Sequence, residues 1–441
     1  MNSSSEVTLR PYQRELIERV RAEYVGGARS VVQQAPTGAG KTAMAAATLH
    51  GTVARVRRAL FLAHLDTLIV DTHARLNAAG VPAGFVQAGR AADPTAPVQV
   101  ASLQTLHARD ERPPADLVVL DEAHRAMGPT VRAILGAYPR ARLLGLTATP
   151  QRADGQPLGD VFERLVCGPS VRSLTRGGYL VGCDVIAPPV YMDDGLVLDP
   201  VDAYQRFTPG QRAIVFASNV AHAEDVTKRF LERGIVAETV VGDTPTAVRR
   251  TVRERMTDGE LRVLVGVGVF IEGFDLPSVE TIILARAFGV TGSFLQAIGR
   301  GLRPSPATGK TRCTVLDLRG SVNLHGLPDE DRVWSLDGTA VRRTETMTAL
   351  RRCIECWAIF RPSERCPRCG VASVAAPHLP RNLNRAAVMA RVSDLTQDQR
   401  DQRYLASLMR VATARMRMPE HRARAWATAQ FEKRFGRKVA A

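Results

Sequence analysis

The sequence predicts an α/β protein with two tandem parallel-sheet domains, a small cysteine-clasped ribbon and a basic helical tail. Three observations carry that prediction. Short apolar strand segments alternate with helical stretches from residue 9 to residue 320, the pattern of parallel sheets covered on both faces. The alternation stops at a Pro- and Asp-rich passage, APPVYMDDGLVLDPVDAYQRFTPG, and then restarts. Four of the seven cysteines fall as two CxxC pairs between residues 353 and 369. A chain of 441 residues exceeds one ordinary core, so more than one domain is expected.

The first domain is assigned to residues 1–190. Leu9, Leu16, Ile17 and Val20 recur at helical spacing, and Pro11 suits a first helical turn. SVVQQA reads as a buried strand, followed by a Gly-rich turn and the helix KTAMAAATLHGTVARV. RALFLAH (strand), a helix to about Asn77, VQVASLQTL (strand and turn), DLVVLDEAH (strand), a helix near 129–137 and ARLLGLTATP (strand) complete it. Residues 191–210 are assigned to a linker and 211–325 to the second domain. Its elements are RAIVFAS, a helix through Leu231, VAETVVG, a helix over 244–257, LRVLVGVGVF, VETIILAR, a helix around 292–300, and TRCTVLDL. Residues 321–350 read as irregular connection, 345–375 as the ribbon, and 380–441 as the tail, with basic helices from Asn384 to about Phe435.

The formal net charge is +15, with a sequence pI near 10.1. That excess favours a polyanionic partner, most simply nucleic acid. The basic residues are overwhelmingly arginine; the lysines are Lys41, Lys228, Lys310, Lys433 and Lys438. A GC-rich genome explains arginine over lysine but not base over acid. Residues 381–441 hold 14 Arg and Lys against 5 Asp and Glu, which places +9 of the charge in the tail. No run of about 18 apolar residues exists, so no membrane span is expected. MNSSSEVTLRPYQ lacks the layout of a secretory signal, so a cytoplasmic location is expected, in a bacterium or a phage-infected host. The odd cysteine count argues against a disulfide framework.

Two motifs carry the chemistry. APTGAGKT, residues 35–42, follows a strand and opens a helix, the setting of a phosphate-binding loop, with Ala35 where the pattern usually has Gly. Gly38 and Gly40 let backbone N–H groups converge on phosphate oxygens, and the helix N-terminus favours the anion. Pro36, Thr37, Ala39 and Gly40 complete the cradle. Lys41 would reach the β and γ phosphates and Thr42 would ligate magnesium. VVLDEAH, residues 118–124, ends an apolar strand in an acidic pair at the carboxyl edge of a sheet. Asp121 suits magnesium coordination and Glu122 can orient and deprotonate a water. Either motif alone could be a Gly-rich turn or a solvated strand end.

With these residues the chain resembles the superfamily-two helicases of the DEAH type, whose motifs run in order across residues 9–320. The resemblance implies two RecA-like domains and ATP as substrate. LRPYQ resembles the segment whose Gln13 reads adenine, with Arg10 packing nearby. LTATPQRADG resembles the third motif, in which Thr147 and Thr149, with His124, would couple hydrolysis to strand movement. VFIEGFDLP resembles the fifth, placing Gly273 and Asp275 near the nucleotide. QAIGRGLRP resembles the sixth, with Gln296 orienting the water or γ-phosphate and Arg300 and Arg303 as arginine fingers. ASLQTL fits a strand-contact motif through Ser102, Gln104 and Thr105, and IVFASN another through Ser218. His64 is followed by Leu65 where relatives often have a His-Arg pair, and Ile271 stands where a hydroxyl is common. His124 and Gln296, with the LTATP and GRGLRP forms, point to DNA rather than RNA; duplex, forked and single-stranded substrates are all open. A replication, recombination or restriction protein is a further expected partner.

Cys353, Cys356, Cys366 and Cys369 form CxxC-x9-CxxC, a spacing that gathers four thiolates around a structural zinc. An iron–sulfur cluster and a redox pair are the alternatives. Between the pairs, Trp357 and Phe360 with Arg361 and Arg365 suit either nucleic-acid stacking or the ribbon's own small core. In the tail, Trp426, Phe431 and Phe435 recur at roughly helical spacing, with Arg422, Arg424, Lys433 and Arg434 facing outward; DNA or partner binding and a solvated helix are both open. The leading expectation is an ATP-dependent DNA helicase or translocase. The alternatives are the motor subunit of a restriction system and an ATP-gated nucleic-acid-binding switch.

Overall fold

Runs such as SVVQQ, ALFLA and AIVFA are buried along their whole length. Only a sheet covered on both faces accommodates such strands. The computed structural model describes residues 8–64, 66–109, 112–126, 128–152, 155–188, 196–267, 276–338, 342–343, 350–353, 355–373, 409 and 419–435. Residues Met1–Leu379 cluster as one unit and Pro380–Ala441 as another.

The first sheet contains β1 (Ser30–Gln34), β2 (Ala59–Ala63), β3 (Ala83–Val86), β4 (Val98–Ser102), β5 (Leu117–Asp121), β6 (Arg142–Thr147) and β7 (Arg164–Cys167). All are parallel, in the order β3-β4-β2-β5-β6-β1-β7. Helices α1 (Pro11–Val25), α2 (Lys41–Val53), α3 (Asp66–Ala78), α4 (Leu103–Ala108) and α5 (Pro129–Gly136) accompany it. One face buries Val31, Phe61, Val100, Val119 and Leu144. The other buries Val32, Leu60, Leu62, Val118 and Leu120. Each such side chain contributes about 1.5–3 kcal/mol of burial.

The second sheet contains β8 (Gly182–Ile186), β9 (Ala213–Ala217), β10 (Ala237–Val240), β11 (Val263–Val267), β12 (Thr281–Leu284) and β13 (Arg312–Asp317). These are parallel, in the order β10-β11-β9-β12-β13-β8. Between β7 and β8 lies α6 (Val171–Arg176); α7 (Pro200–Phe207), α8 (Val220–Glu232), α9 (Thr246–Asp258), α10 (Thr291–Gly299) and the short α11 (Val322–His325) follow. The protein is thus two tandem RecA-like parallel-sheet domains.

Four features differ from the sequence expectation. β8 precedes the expected linker, yet it pairs with β13 in the second sheet. The expected linker itself contains α7, capped by Asp199, whose carboxylate accepts from the N–H groups of Val201 and Asp202. The segment expected to be irregular contains α11 and the two-residue strand β14 (Arg332–Val333), which pairs antiparallel with β15 (Arg342–Arg343). The cysteine ribbon is also part of the second sheet. Its strands β16 (Arg351–Arg352) and β17 (Ala358–Phe360) extend the sheet, with β17 antiparallel to β8. The apolar β8 edge is covered by the ribbon rather than exposed.

In the second unit the described element is α12 (Glu420–Phe435). Ala423 and Ala427 are buried, Trp426 is half-buried, and Arg422 and Arg424 are exposed. The side chains of Phe431, Lys433, Arg434 and Phe435 lie outside the described residues. Among the described residues, no helix is long and apolar enough to cross a membrane.

Candidate active site

Strand order assembles the site. β5, β6 and β1 are adjacent, so the chain leaving each of them converges at one carboxyl edge. β1 delivers the Ala35–Gly40 loop, β5 delivers Asp121 and Glu122, and β6 delivers Thr147 and Thr149. This is where ligands bind in open α/β sheets.

The loop takes a backbone shape that glycine allows. Gly38 and Gly40 have φ of +87° and +81°, a region that side chains disfavour. Gly40 also leaves room for Gln13, whose Nε2 a Cβ there would overlap. Gln13 is buried, and both ends of its amide are engaged. Its Oε1 accepts from the Arg10 N–H at 2.9 Å, and its Nε2 donates to Ala39 O at 2.9 Å. Tyr12 OH donates to the same carbonyl at 2.8 Å. Arg10 donates to Tyr12 OH and lies 5.0 Å from the Tyr179 ring centroid, and the Tyr12 and Tyr179 rings are 4.9 Å apart. Tyr12 and Tyr179 were not singled out from sequence; only the adjacency of Tyr12 to Gln13 could have signalled the first.

Lys41 opens α2, and its Nζ donates to Ala35 O at 3.3 Å. Burial lowers its pKa, and the Arg303 and Arg300 charges lower it further, while Glu122 and Asp121 oppose this. A half-buried ammonium at the N-terminus of α2 fits an anionic phosphate chain. Thr42 follows, half-buried, in the first turn of α2.

Glu122 sits at φ +51°, ψ +54°, a left-handed conformation that costs a non-glycine residue roughly 1–3 kcal/mol. The strained turn separates two adjacent carboxylates. Burial and the Glu122 charge raise Asp121 to about 6. Burial also disfavours ionised Glu122, but the hydrogen bond and charge of His124, with Lys41, bring it down to about 2. His124 Nδ1 lies 3.3 Å from Glu122 Oε2 and 3.4 Å from Thr147 Oγ1. Thr147 Oγ1 donates to Thr149 O and accepts from Thr149 N–H, both at 3.1 Å. Arg152 donates to His124 O at 3.1 Å. A continuous chain therefore links Glu122 through His124 to the two threonines.

The second domain meets this edge through α10. A Cβ on Gly292 would approach Thr149 Oγ1 to 2.9 Å, and one on Gly299 would overlap Thr37 Cβ. Between them Gln296 Nε2 donates to Glu122 Oε2 at 3.3 Å. Positions 292, 296 and 299 share one face of α10 at helical spacing. Arg303 lies in the turn beyond the helix, its Cγ 3.4 Å from where a Gly38 Cβ would be. The structure thus brings together Lys41, Asp121, Glu122, Gln296, Arg300 and Arg303. The roles of Gly292 and Gly299 as contact points were not read from sequence. Gly273 and Asp275 lie outside the described residues.

The strand-contact candidates are dispersed over both sheet edges. Ser102 ends β4 and caps α4, accepting from Thr105 N–H at 3.4 Å and donating to Gln104 Oε1 at 2.8 Å. Thr105 Oγ1 accepts from Ala88 N–H, and Gln104 is exposed. Ser218 follows β9 and is exposed, with His222 Nδ1 3.3 Å from its Oγ.

The four ribbon cysteines converge, with all Sγ atoms within 4.8 Å of one another. Cys353–Cys369 and Cys356–Cys366 are 3.5 and 3.6 Å apart. Zinc–thiolate bonds of about 2.3 Å in a tetrahedron require S···S near 3.8 Å, so the cluster fits a metal and is too wide for disulfides. The two knuckles are alike. Cys353 O accepts from Trp357 N–H and Cys366 O from Gly370 N–H, and both donor residues have positive φ. Trp357 holds this conformation with its ring 6.1 Å from Phe207 and beneath Arg206. Phe360 is buried among the cysteines. Both aromatics therefore serve as core. Arg361 pairs with Asp329, and Arg365 donates to Gly370 O.

Comparison with known proteins follows this geometry. Residues 6–152 match the family model "Type III restriction enzyme, res subunit", and residues 199–305 match "Helicase conserved C-terminal domain". A 51.5 kDa protein of a Lactococcus phage is 27% identical over 364 residues, covering 76% of this chain and 77% of the phage protein. The Saccharomyces cerevisiae protein IRC3, named as an ATP-dependent helicase, is 26% identical over 259 residues, 51% of this chain and 37% of its own length. In fold, a fragment from Vibrio vulnificus, named as the HsdR subunit of a type I restriction enzyme, superposes with a TM-score of 0.58 at 21% identity. It covers 74% of this chain and 66% of the fragment.

Proposed function

The chain carries the paired motor domains of a superfamily-two helicase and is an ATP-hydrolysing enzyme; on that premise we propose that it couples ATP hydrolysis between its domains to movement on, or remodelling of, DNA. The observation that carries the reading is the Gln296–Glu122 contact, which joins the domains at the reacting edge. The loop N–H groups and Lys41 hold the phosphate chain. Thr42 and Asp121 hold magnesium, whose charge would offset that of the β and γ oxygens. Glu122, ionised and hydrogen-bonded by His124, orients and deprotonates the attacking water. Gln296 fixes that water's position, and Arg300 and Arg303 meet the charge that spreads over the transferring group. Gln13 and Arg10, with Gly273 and Asp275, complete the nucleotide site. Release of the α10 contact on hydrolysis lets the cleft open. His124, Thr147 and Thr149 transmit that change to the strand edge, where Ser102, Gln104, Thr105 and Ser218 contact phosphates.

DNA is favoured by the +15 charge and by the resemblance of the third and sixth motifs. The ribbon cysteines hold one zinc ion in a structural role. The phage relative supports action in an infected host's cytoplasm. A second reading, the motor subunit of a restriction system, is favoured by the restriction-enzyme family model over residues 6–152.

The test is ATP turnover without nucleic acid and with duplex, single-stranded and forked DNA or RNA. DNA stimulation is expected. No stimulation by any of them refutes the motor, and stimulation by RNA alone refutes the DNA assignment. Glu122→Gln should bind ATP and hydrolyse it poorly; full activity removes Glu122 from its role.

A further inference from the structure

The segment leaving the second domain after α11 does not stay with that domain. Its root is bonded to α10: His325 Nδ1 lies 3.1 Å from Thr291 Oγ1, and His325 Nε2 lies 2.5 Å from Phe288 O. Arg332 then stiffens the turn, donating to the carbonyls of His325, Leu327, Pro328 and Glu330. The far end docks on the first domain. Leu336 packs against the core cluster that includes Leu158 and Phe162, and its carbonyl accepts from Gly159 N–H at 2.9 Å. Gly338, at φ +73°, lies so close to residues 155–157 that a Cβ would overlap Gly155 O and approach Pro157 N to 2.9 Å. Gly155 ends the third motif, and Gln156 and Pro157 directly follow it. Midway, Asp329 pairs with Arg361 of the ribbon at 2.8 Å, and Asp331 pairs with Arg172 of α6 at 3.0 Å.

We propose that residues 328–338 form a strap that positions α10 against the first domain, with Leu336 and Gly338 as its foot and His325 as its root. The motor domains are otherwise joined in chain order through α6 and β8. A second tether, from α10 to the segment behind the third motif, restricts the openings the cleft samples. It thereby raises the fraction of molecules in which Gln296 reaches Glu122. Leu336 and Gly338 touch no reacting atom; they act through α10. The inference rests on the ATPase reading for its kinetic consequence but not for its geometry.

The test uses the full chain with spin labels on non-canonical residues at exposed Val25 and Leu231, one per motor domain, and compares the parent with Leu336→Asp, Leu336→Met and Gly338→Val. Released variants should show a broader, longer distance distribution without nucleotide. Their KM for ATP should rise roughly ten-fold, because apparent affinity scales with the competent fraction. The kcat at saturating ATP should change far less, since ATP restores closure, and Leu336→Met should behave as parent. A parent-like distance distribution in both Leu336→Asp and Gly338→Val overturns the strap. If Leu336→Asp does not fold, Gly338→Val, which leaves the Leu336 contact chemistry unchanged, decides the matter. Absence of ATP turnover in the parent would refute the ATPase reading, while the distance measurement would still test the strap.

Discussion

Gly299→Ala should separate stability from catalysis. Gly299 is the last residue of α10, and the added methyl would overlap Thr37 Cβ and lie 2.9 Å from Thr37 Cγ2. Non-bonded carbons rest at about 3.5–4.0 Å, so α10 must withdraw by roughly 1 Å from the phosphate-binding loop. The Gln296–Glu122 bond is already 3.3 Å long, and the same withdrawal takes it beyond hydrogen-bond range. Misplacement by about 1 Å can cost on the order of a hundred-fold in rate. Gly299 ends the helix, and Ala is tolerated there at least as well as Gly, so the second domain should melt close to the parent. The assay pairs steady-state ATPase at saturating ATP and DNA with a thermal melt. The expected result is kcat down by about 30- to 100-fold with a Tm close to the parent's. A variant with parent kcat and KM would show that α10 need not approach Thr37 during turnover, and the inter-domain site would lose its main geometric support.

Thr147→Val keeps the shape of a fully buried side chain but removes the hydroxyl that joins His124 to Thr149. ATP turnover should survive within a few-fold while strand movement per ATP falls roughly ten-fold; equal losses in both would refute a coupling role. Cys366→Ser should release the metal from purified protein and lower the Tm by several degrees, because β17 and β16 extend the second sheet. Full melting stability without metal would make the cluster dispensable to that domain. Asp317 is buried, and burial raises its pKa from 3.8 to about 6 although its carboxylate accepts from Val322 N–H at 2.7 Å. A raised acid pKa favours the protonated folded state, so this contribution is complete below pH 4 and lost as pH rises through 6, about 3 kcal/mol in all. Asp317→Asn keeps the acceptor and should flatten the stability profile between pH 4 and 6; an unchanged slope there refutes the assignment.

The Gly-rich loop, the acidic pair and the strand ends were legible in the sequence because each depends on neighbours a few residues apart. Gly38, Gly40 and Lys41 need only a strand before them and a helix after. The cysteine spacing likewise encloses its own cluster. What the sequence alone could not decide was partnership across long separations. Gln296 and Glu122 are 174 residues apart, and nothing local in GCDVI says that β8 joins the later sheet. The ribbon read as a separate module, yet β17 and β16 extend the second sheet, and its aromatics turn inward onto Phe207 and the cysteines. The strap read as irregular connection because its order comes from Gly159, Arg172 and Arg361, not from its own periodicity. Sequence by itself determined which chemistry each strand end presents, since φ/ψ preference and hydrophobic period are local properties. Tertiary packing alone decided which ends face one another, because that depends on which buried surfaces fit and on where glycines permit close approach.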